Sequence, residues 1–402
     1  MRNKKRLRNV YAGAIFIAVF LAIGGQVVLQ ETTAAQKRAA TIQPPRFQVD
    51  PFWPKPLPNH WVLGSVTGVA VDSQDHIWIT HRGADSLGNN EKGAILNPPT
   101  GCCVPAPQVL EFDSAGNLLS HWGGPGQGFD WPQSPGGITV DHKGNLWIAA
   151  AGPPESAARP AGAPGAARPS APRPQDAHVL KFSRTGAFLL QIGHAGKPEG
   201  SDSKTGFNRP AGVRVDPSSN EVYVADGFGN HRVAVFDAET GAYKRHWGAY
   251  GEKPDDASSG RYDPNAPPAK QFHTVSCAAI SKDGMVYVCD RQNDRIQVFQ
   301  TDGKFVKEAF VSKTTLGDGS VWDIAFSNDP QQRFVYVADG HDKKVFVLRR
   351  DTLEIVSSFG DGGRMPGQFY GVGSIAVDSK GNVYTGETYE GKRVQKFVNK
   401  GR

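Results

Sequence analysis

Gly212-Val213-Arg214-Val215-Asp216, Tyr223-Val224-Ala225-Asp226 and Arg232-Val233-Ala234-Val235-Phe236 read as three short β-strands in succession, separated by stretches rich in turn formers. The same phrase recurs along the chain. Its middle part reappears as Trp78-Ile79-Thr80, Trp147-Ile148-Ala149, Tyr287-Val288-Cys289-Asp290, Tyr336-Val337-Ala338-Asp339 and Tyr384-Thr385-Gly386-Glu387, an aromatic-hydrophobic-acidic signature in its fullest form. Its last part closes at Phe112, Phe182, Phe236, Phe299, Leu348 and Phe397, so the unit occurs six times. A repeat of this length cannot bury its apolar face alone and must stack on its neighbours.

Each unit opens with a strand such as Gly68-Val69-Ala70-Val71-Asp72, Gly137-Ile138-Thr139-Val140-Asp141 or Ser374-Ile375-Ala376-Val377-Asp378. Polar turns follow, typified by His142-Lys143-Gly144-Asn145, where Gly or Asn supplies the positive φ of a tight hairpin. A fourth strand is marked in three units by glycines seven apart, Gly116 to Gly123, Gly186 to Gly193 and Gly241 to Gly248. Four short antiparallel strands per unit, repeated six times, specify an all-β fold, a six-bladed β-propeller. The last unit runs out of chain near Phe397, so Phe47-Gln48-Val49-Asp50 is expected to supply its outer strand and close the ring. The domain therefore spans residues 46–400, with 36–45 as a flexible tether.

Loop lengths single out two units. From the aromatic of the second strand to the end of the third is 12 or 13 residues in the last four units but 34 and 35 in the first two. The insertions, 83–107 and 152–177, fall at the same connection of adjacent blades and crowd one mouth of the ring. The second is Ala/Pro/Arg-rich with seven prolines and reads as a mobile flap. The first is more varied, contains Cys102-Cys103, and is expected to be ordered and to lie partly over the mouth.

Residues 1–9 hold Arg2, Lys4, Lys5, Arg6 and Arg8, and an uncharged stretch runs from Val10 to Gln30. This pattern reads as an export signal over 1–35, cleaved or retained as an anchor, and places the body in the periplasm or outside the cell. Membrane contact is then confined to residues 10–30. Without those 35 residues the formal charge of +6 falls to +2, too little to attract a nucleic acid. Export permits disulfides. Cys277 and Cys289 lie close to cross-strand register and read either as a bridge or as two small buried hydrophobes. Cys102-Cys103 reads as a vicinal disulfide or a soft metal site.

The repeat resembles that of the NHL propellers. His81-Arg82-Gly83, the stretch Val224 to Arg232 and Cys289-Asp290-Arg291-Gln292-Asn293 extend the resemblance to the peptidyl-α-hydroxyglycine α-amidating lyase branch, over about residues 60–398. That resemblance implies a site at the mouth, with zinc on three histidines, calcium as a second metal, a tyrosine for proton transfer and two arginines on the substrate carboxylate. The arginines correspond to Arg82 and Arg291. The other positions depart from the pattern: Gly136, Ser276 and Gly373 stand where the histidines are expected, and Phe228 where the tyrosine is. Imidazoles replaced by Gly and Ser cannot hold zinc strongly.

The expected function is therefore binding of a small carboxylate-bearing or peptide-like ligand between Arg82 and Arg291, with Phe228 as an apolar wall. The alternatives are an active peptidylamidoglycolate-type lyase or related hydrolase with a re-sited metal, for which His81, His273 and His341 are the candidate ligands, and a protein-interaction scaffold using the ring face. Asp226, Asp290 and Asp339, at one blade position, are expected to hydrogen-bond loop amides.

Overall fold

In the computed structural model the described residues are 43–152, 174–257 and 260–401. The expected leader, nearly all of the tether and residues 153–173 of the second insertion lie outside the described residues. Residues Arg46–Gly401 form one unit, and no helix among the described residues is long and apolar enough to cross a membrane.

Six four-stranded antiparallel sheets form the ring. Their inner strands are Val66–Val71, Pro135–Val140, Gly212–Asp216, Val275–Ile280, Asp323–Phe326 and Val372–Val377. Each packs beside its neighbours, and Val372–Val377 packs beside Val66–Val71, which closes the circle. The sixth blade takes Phe47–Asp50 as its outer strand, paired antiparallel with Arg393–Asn399 in the register Phe47 to Asn399 and Asp50 to Lys396. The Phe47 ring packs against Phe359 and Tyr336 of the preceding blade, so this strand also seals a blade boundary. Trp122 and Trp247 likewise sit against Phe182 and Phe299 of the following blades.

The second strands are buried along nearly their whole length because blades cover both of their faces. That leaves their ends to be stitched to the connections around them. On one rim the closing aspartate of the inner strand accepts turn amides. Asp72 takes those of Gln74 and His76, and Asp378 those of Lys380 and Asn382, while Trp78 and Tyr384 donate to the same carboxylates.

On the mouth rim the acidic residue that ends the second strand does the equivalent work. Asp226 accepts from the Asn208 amide, Asp290 from those of His273 and Thr274, and Glu387 from that of Tyr370. Each of these carboxylates is also paired with the arginine directly across the ladder, Arg232, Arg295 or Arg393. Those guanidiniums donate in turn to loop carbonyls such as Gly206 and Gln271. A buried charge is tolerated when it is paired and its remaining lone pairs are satisfied, and here both conditions are met.

The fifth blade departs from this scheme. Asp339 accepts the amides of His341 and Asp342, but Lys344 stands across the ladder and makes no ion pair with it. One Asp339 oxygen is buried without a partner. Burial raises its carboxyl to about 8, with the Asp342 carboxylate acting in the same direction. An unfolded aspartate releases its proton near its ordinary value of 3.8, so the folded state holds a proton that the unfolded chain has lost. This blade's contribution is thus complete below that value and declines as pH rises toward 8. Lys344→Arg is expected to restore the fork found in the other three blades and to raise stability at pH 8 by about 1 kcal/mol, measured by urea unfolding. Asp339→Asn should flatten the pH dependence over the same range.

Candidate functional site

The inner strands converge on a cavity of about 210 Å³ at the mouth. Small residues are needed where the strands enter it. A Cβ on Gly68 would lie 2.6 Å from the Ile138 nitrogen, and one on Gly136 would lie 2.8 Å from both the Ala211 oxygen and the Ala151 Cβ. The backbones themselves therefore form much of the wall, and the chemistry comes from side chains at its edges.

Arg82, Phe228 and Arg291 all line this cavity, as the sequence suggests. Arg82 donates from Nε to Ser134 Oγ at 2.8 Å and has no carboxylate within ion-pairing distance among the described residues. Burial pulls its guanidinium down to about 10, with Arg291 acting in the same direction and Tyr389 opposing, so it remains a cation at neutral pH. Arg291 is better compensated. Its Nε donates to the Asp318 carbonyl at 2.6 Å, a terminal nitrogen lies 3.4 Å from the Asp318 carboxylate, and the guanidinium sits 3.5 Å from the centre of the Trp322 ring.

Tyr389, which the sequence reading did not identify, completes this group. Its hydroxyl donates to the Asp318 carboxylate at 2.9 Å, and its ring meets Trp322 edge-on. Burial raises its phenol, so it is neutral and a donor at physiological pH. Further along the inner strands, Arg214 reaches across from the third blade to Asp323 of the fifth at 3.2 Å. Asp323 also accepts the Ile375 amide of the sixth blade, so one buried carboxylate ties three blades together. Two hydroxyls that line the cavity, Ser374 Oγ and Thr388 Oγ1, are buried and have no hydrogen-bond partner.

Gly136, Ser276 and Gly373, the positions at which zinc ligands are expected, all reach the cavity wall. None can serve. Two lack side chains, and Ser276 Oγ donates to the Val321 carbonyl at 3.1 Å. The lining cysteine, Cys277, forms a disulfide with Cys289 directly across the ladder. The lining carboxylates, Asp318 and Asp323, are both already paired with arginines. The donor set fits neither zinc nor calcium.

The three candidate histidines do not line the cavity. His81 is fully buried: its Nδ1 accepts the amides of Gly64 and Gly83 at 3.1 and 3.0 Å, and its Nε2 donates to the Pro107 carbonyl at 2.8 Å. It ends the second strand of the first blade, three residues after Trp78, as Asp226 follows Tyr223. It is thus the neutral counterpart of the acidic acceptor. The amide of His273 donates to the Asp290 carboxylate, and His341 is exposed beside Gly317. The one cluster of three metal-competent groups among the described residues is Asp72, His76 and Glu111, and Arg184 already bridges both of its carboxylates.

The first insertion is ordered, with short 3-10 turns and a two-residue strand, Val104–Pro105, paired with Trp61–Val62. Glu91 anchors it to Lys392 of the sixth blade at 2.6 Å. None of residues 83–107 lines the cavity, so this loop stands beside the site and does not form its wall. Cys102 and Cys103 are bonded to each other, which settles that pair as a disulfide.

Comparison with known proteins bears on this geometry. The family model for the NHL repeat matches residues 207–236. The chain is a six-bladed propeller with an NHL repeat at those residues. It is 26% identical over 335 residues to peptidylglycine alpha-amidating monooxygenase of Rattus norvegicus, covering 81% of this chain and 30% of that protein. It is 22% identical over 247 residues to a probable peptidyl-alpha-hydroxyglycine alpha-amidating lyase of Caenorhabditis elegans, covering 59% of this chain and 56% of that one. The first curated relatives it matches are thus spanned over less than a third of their own length. Among solved structures, a streptogramin B lyase aligns with a TM-score of 0.50 at 11% identity over 88% of this chain and 98% of that one, a likeness of fold.

Because His81 is held neutral, folding is linked to pH through it. Burial lowers its imidazole from 6.5 to about 4, with the Pro107 carbonyl opposing. The unfolded chain takes up a proton below 6.5 that the folded chain refuses, so this part of the stability is complete above 6.5 and is lost as pH falls toward 4. Up to about 3 kcal/mol is involved. His81→Asn, which keeps an acceptor but does not titrate, is expected to flatten the acid limb of stability against pH; an unchanged limb would assign it to other groups.

Proposed function

We propose that this propeller is a ligand-binding relative of the amidating lyases, and that its mouth holds a small carboxylate-bearing or peptide-like molecule between Arg82 and Arg291. The observation that carries this reading is Arg82, a half-buried cation in the cavity wall with no carboxylate partner among the described residues. An uncompensated guanidinium in a low-dielectric site is costly until an anion arrives, and the fork of a guanidinium matches a carboxylate. Phe228 and Trp322 supply apolar walls, and Tyr389 a phenol whose proton is given to Asp318. The basic and then apolar first 30 residues support export, with the propeller acting in the periplasm or outside the cell.

One observation favours a second reading, a lyase or hydrolase of the amidating type. Tyr389 brings a phenol into the cavity with Arg82 and Arg291, although Phe228 has none. The donor set of the wall weighs against a metal-dependent form of that chemistry, since polarising a carbinolamide hydroxyl needs a Lewis acid that Gly136, Ser276 and Gly373 cannot hold.

Natively purified protein is expected to contain no stoichiometric zinc and to leave a synthetic peptide ending in α-hydroxyglycine uncleaved. One tightly held transition ion per chain, with turnover abolished by chelation, would establish the enzyme instead. In calorimetric titration with hippurate, a monocarboxylate carrying an amide, the double substitution Arg82→Ala, Arg291→Ala is expected to abolish the binding seen with the wild type. Unchanged binding would reduce both residues to braces between blades.

A further inference from the structure

We infer that the cavity is built for a dianion, a short dicarboxylate whose two ends are taken by Arg82 and Arg209. This rests on the carboxylate-binding reading above and extends it. Four guanidiniums line the cavity against two carboxylates. Arg214 is paired with Asp323 and Arg291 with Asp318. Arg82 and Arg209 are left with no carboxylate partner among the described residues, and each donates to a neutral group: Arg82 to Ser134 Oγ, Arg209 to the Phe228 carbonyl. The wall therefore carries two positive charges that the described residues do not neutralise.

The two free guanidiniums are mounted on one piece of structure. The amides of Gln133 and Ser134 donate to the Asp176 carboxylate, and the Asp176 carbonyl accepts the Arg209 amide at 3.1 Å. Arg82, held to Ser134, and Arg209, held to Asp176, thus share the scaffold of the second blade. Gly152 lacks a side chain where the two meet the mouth; a Cβ there would lie 2.9 Å from the Arg209 Cδ. Asp176 makes no ion pair with either cation; its oxygens accept three backbone amides, those of Gln133, Ser134 and Gly152. Two separate planar forks suit two separate planar carboxylates better than they suit one tetrahedral anion. The unpartnered hydroxyls of Ser374 and Thr388 offer further hydrogen bonds to an oxygen-rich ligand in the same cavity.

The test is calorimetric titration of the full chain at fixed low salt with succinate, butyrate and inorganic phosphate. The wild type is expected to bind succinate at least tenfold more tightly than butyrate, and phosphate more weakly than succinate. Arg209→Gln should collapse the succinate-to-butyrate ratio toward one. Arg209→Lys, which keeps the charge and loses the fork, should leave a reduced preference, and it serves if the glutamine variant fails to fold. Equal affinities for succinate and butyrate in the wild type, a ratio that survives in Arg209→Gln, or phosphate binding tighter than succinate would each overturn the dicarboxylate assignment while leaving the cavity a carboxylate site. Failure of hippurate, butyrate and succinate alike to bind would overturn the carboxylate reading itself.

Discussion

A buried acceptor at the end of each second strand organises the mouth of this ring. Strands covered on both faces by neighbouring blades end in a place where loop amides have no water to bond, and an unpaired buried amide costs as much as a lost hydrogen bond. Asp226, Asp290, Asp339 and Glu387 answer that need directly. The first two blades use other means. His81 offers an imidazole nitrogen in place of a carboxylate, and in the second blade, where Ala150 ends the strand, Asp176 does the same work from beyond the insertion. Because these acceptors fix the loops, the side chains that follow them, Arg82 after His81 and Arg291 after Asp290, project from rigid mounts.

That arrangement explains which parts of the molecule were legible in its sequence. The blades were, because aromatic, apolar and acidic residues recur at fixed offsets and because the final unit visibly lacks a strand that Phe47–Asp50 can supply. Gly136, Ser276 and Gly373, which line the cavity, came from the resemblance to the amidating lyases and not from the repeat itself. Tyr389, Arg209 and Trp322 were not. Their places depend on how the first and sixth blades meet and on the path of connections between blades, neither of which leaves a local spacing to read. His81 reads as a candidate metal ligand, although its register, three residues after Trp78, aligns it with the acidic acceptors of the mouth rim. The signal was present, but a histidine in an acidic column looks like an exception until its two amide donors are seen.

Histidines at Gly136, Ser276 and Gly373 would take more than three substitutions. At Gly136 the Ala211 carbonyl stands 2.8 Å from where a Cβ would be, so a histidine there would require the second and third blades to move apart. Arg214 and Asp323, by contrast, put an ion pair between blades in the interior of the ring, where the guanidinium already supplies positive charge to the buried carboxylate. The inner wall is packed around protein cations, and a metal there would have to displace that packing as well as find ligands.

A wall of that kind is best understood through what its charges lack. Paired ions such as Arg214 and Asp323 hold blades together and are spent in doing so, whereas a half-buried guanidinium with only hydroxyl or carbonyl partners keeps its charge available for an anion. Such a group lowers the stability of the empty ring and raises its affinity for a ligand of opposite charge, which is the usual relation between folding and binding at a prepared site. Arg82 and Arg209 stand in that relation to the rest of this propeller. Their mounts on Ser134 and Asp176 place the unmet charge on the side of the mouth formed by the second blade.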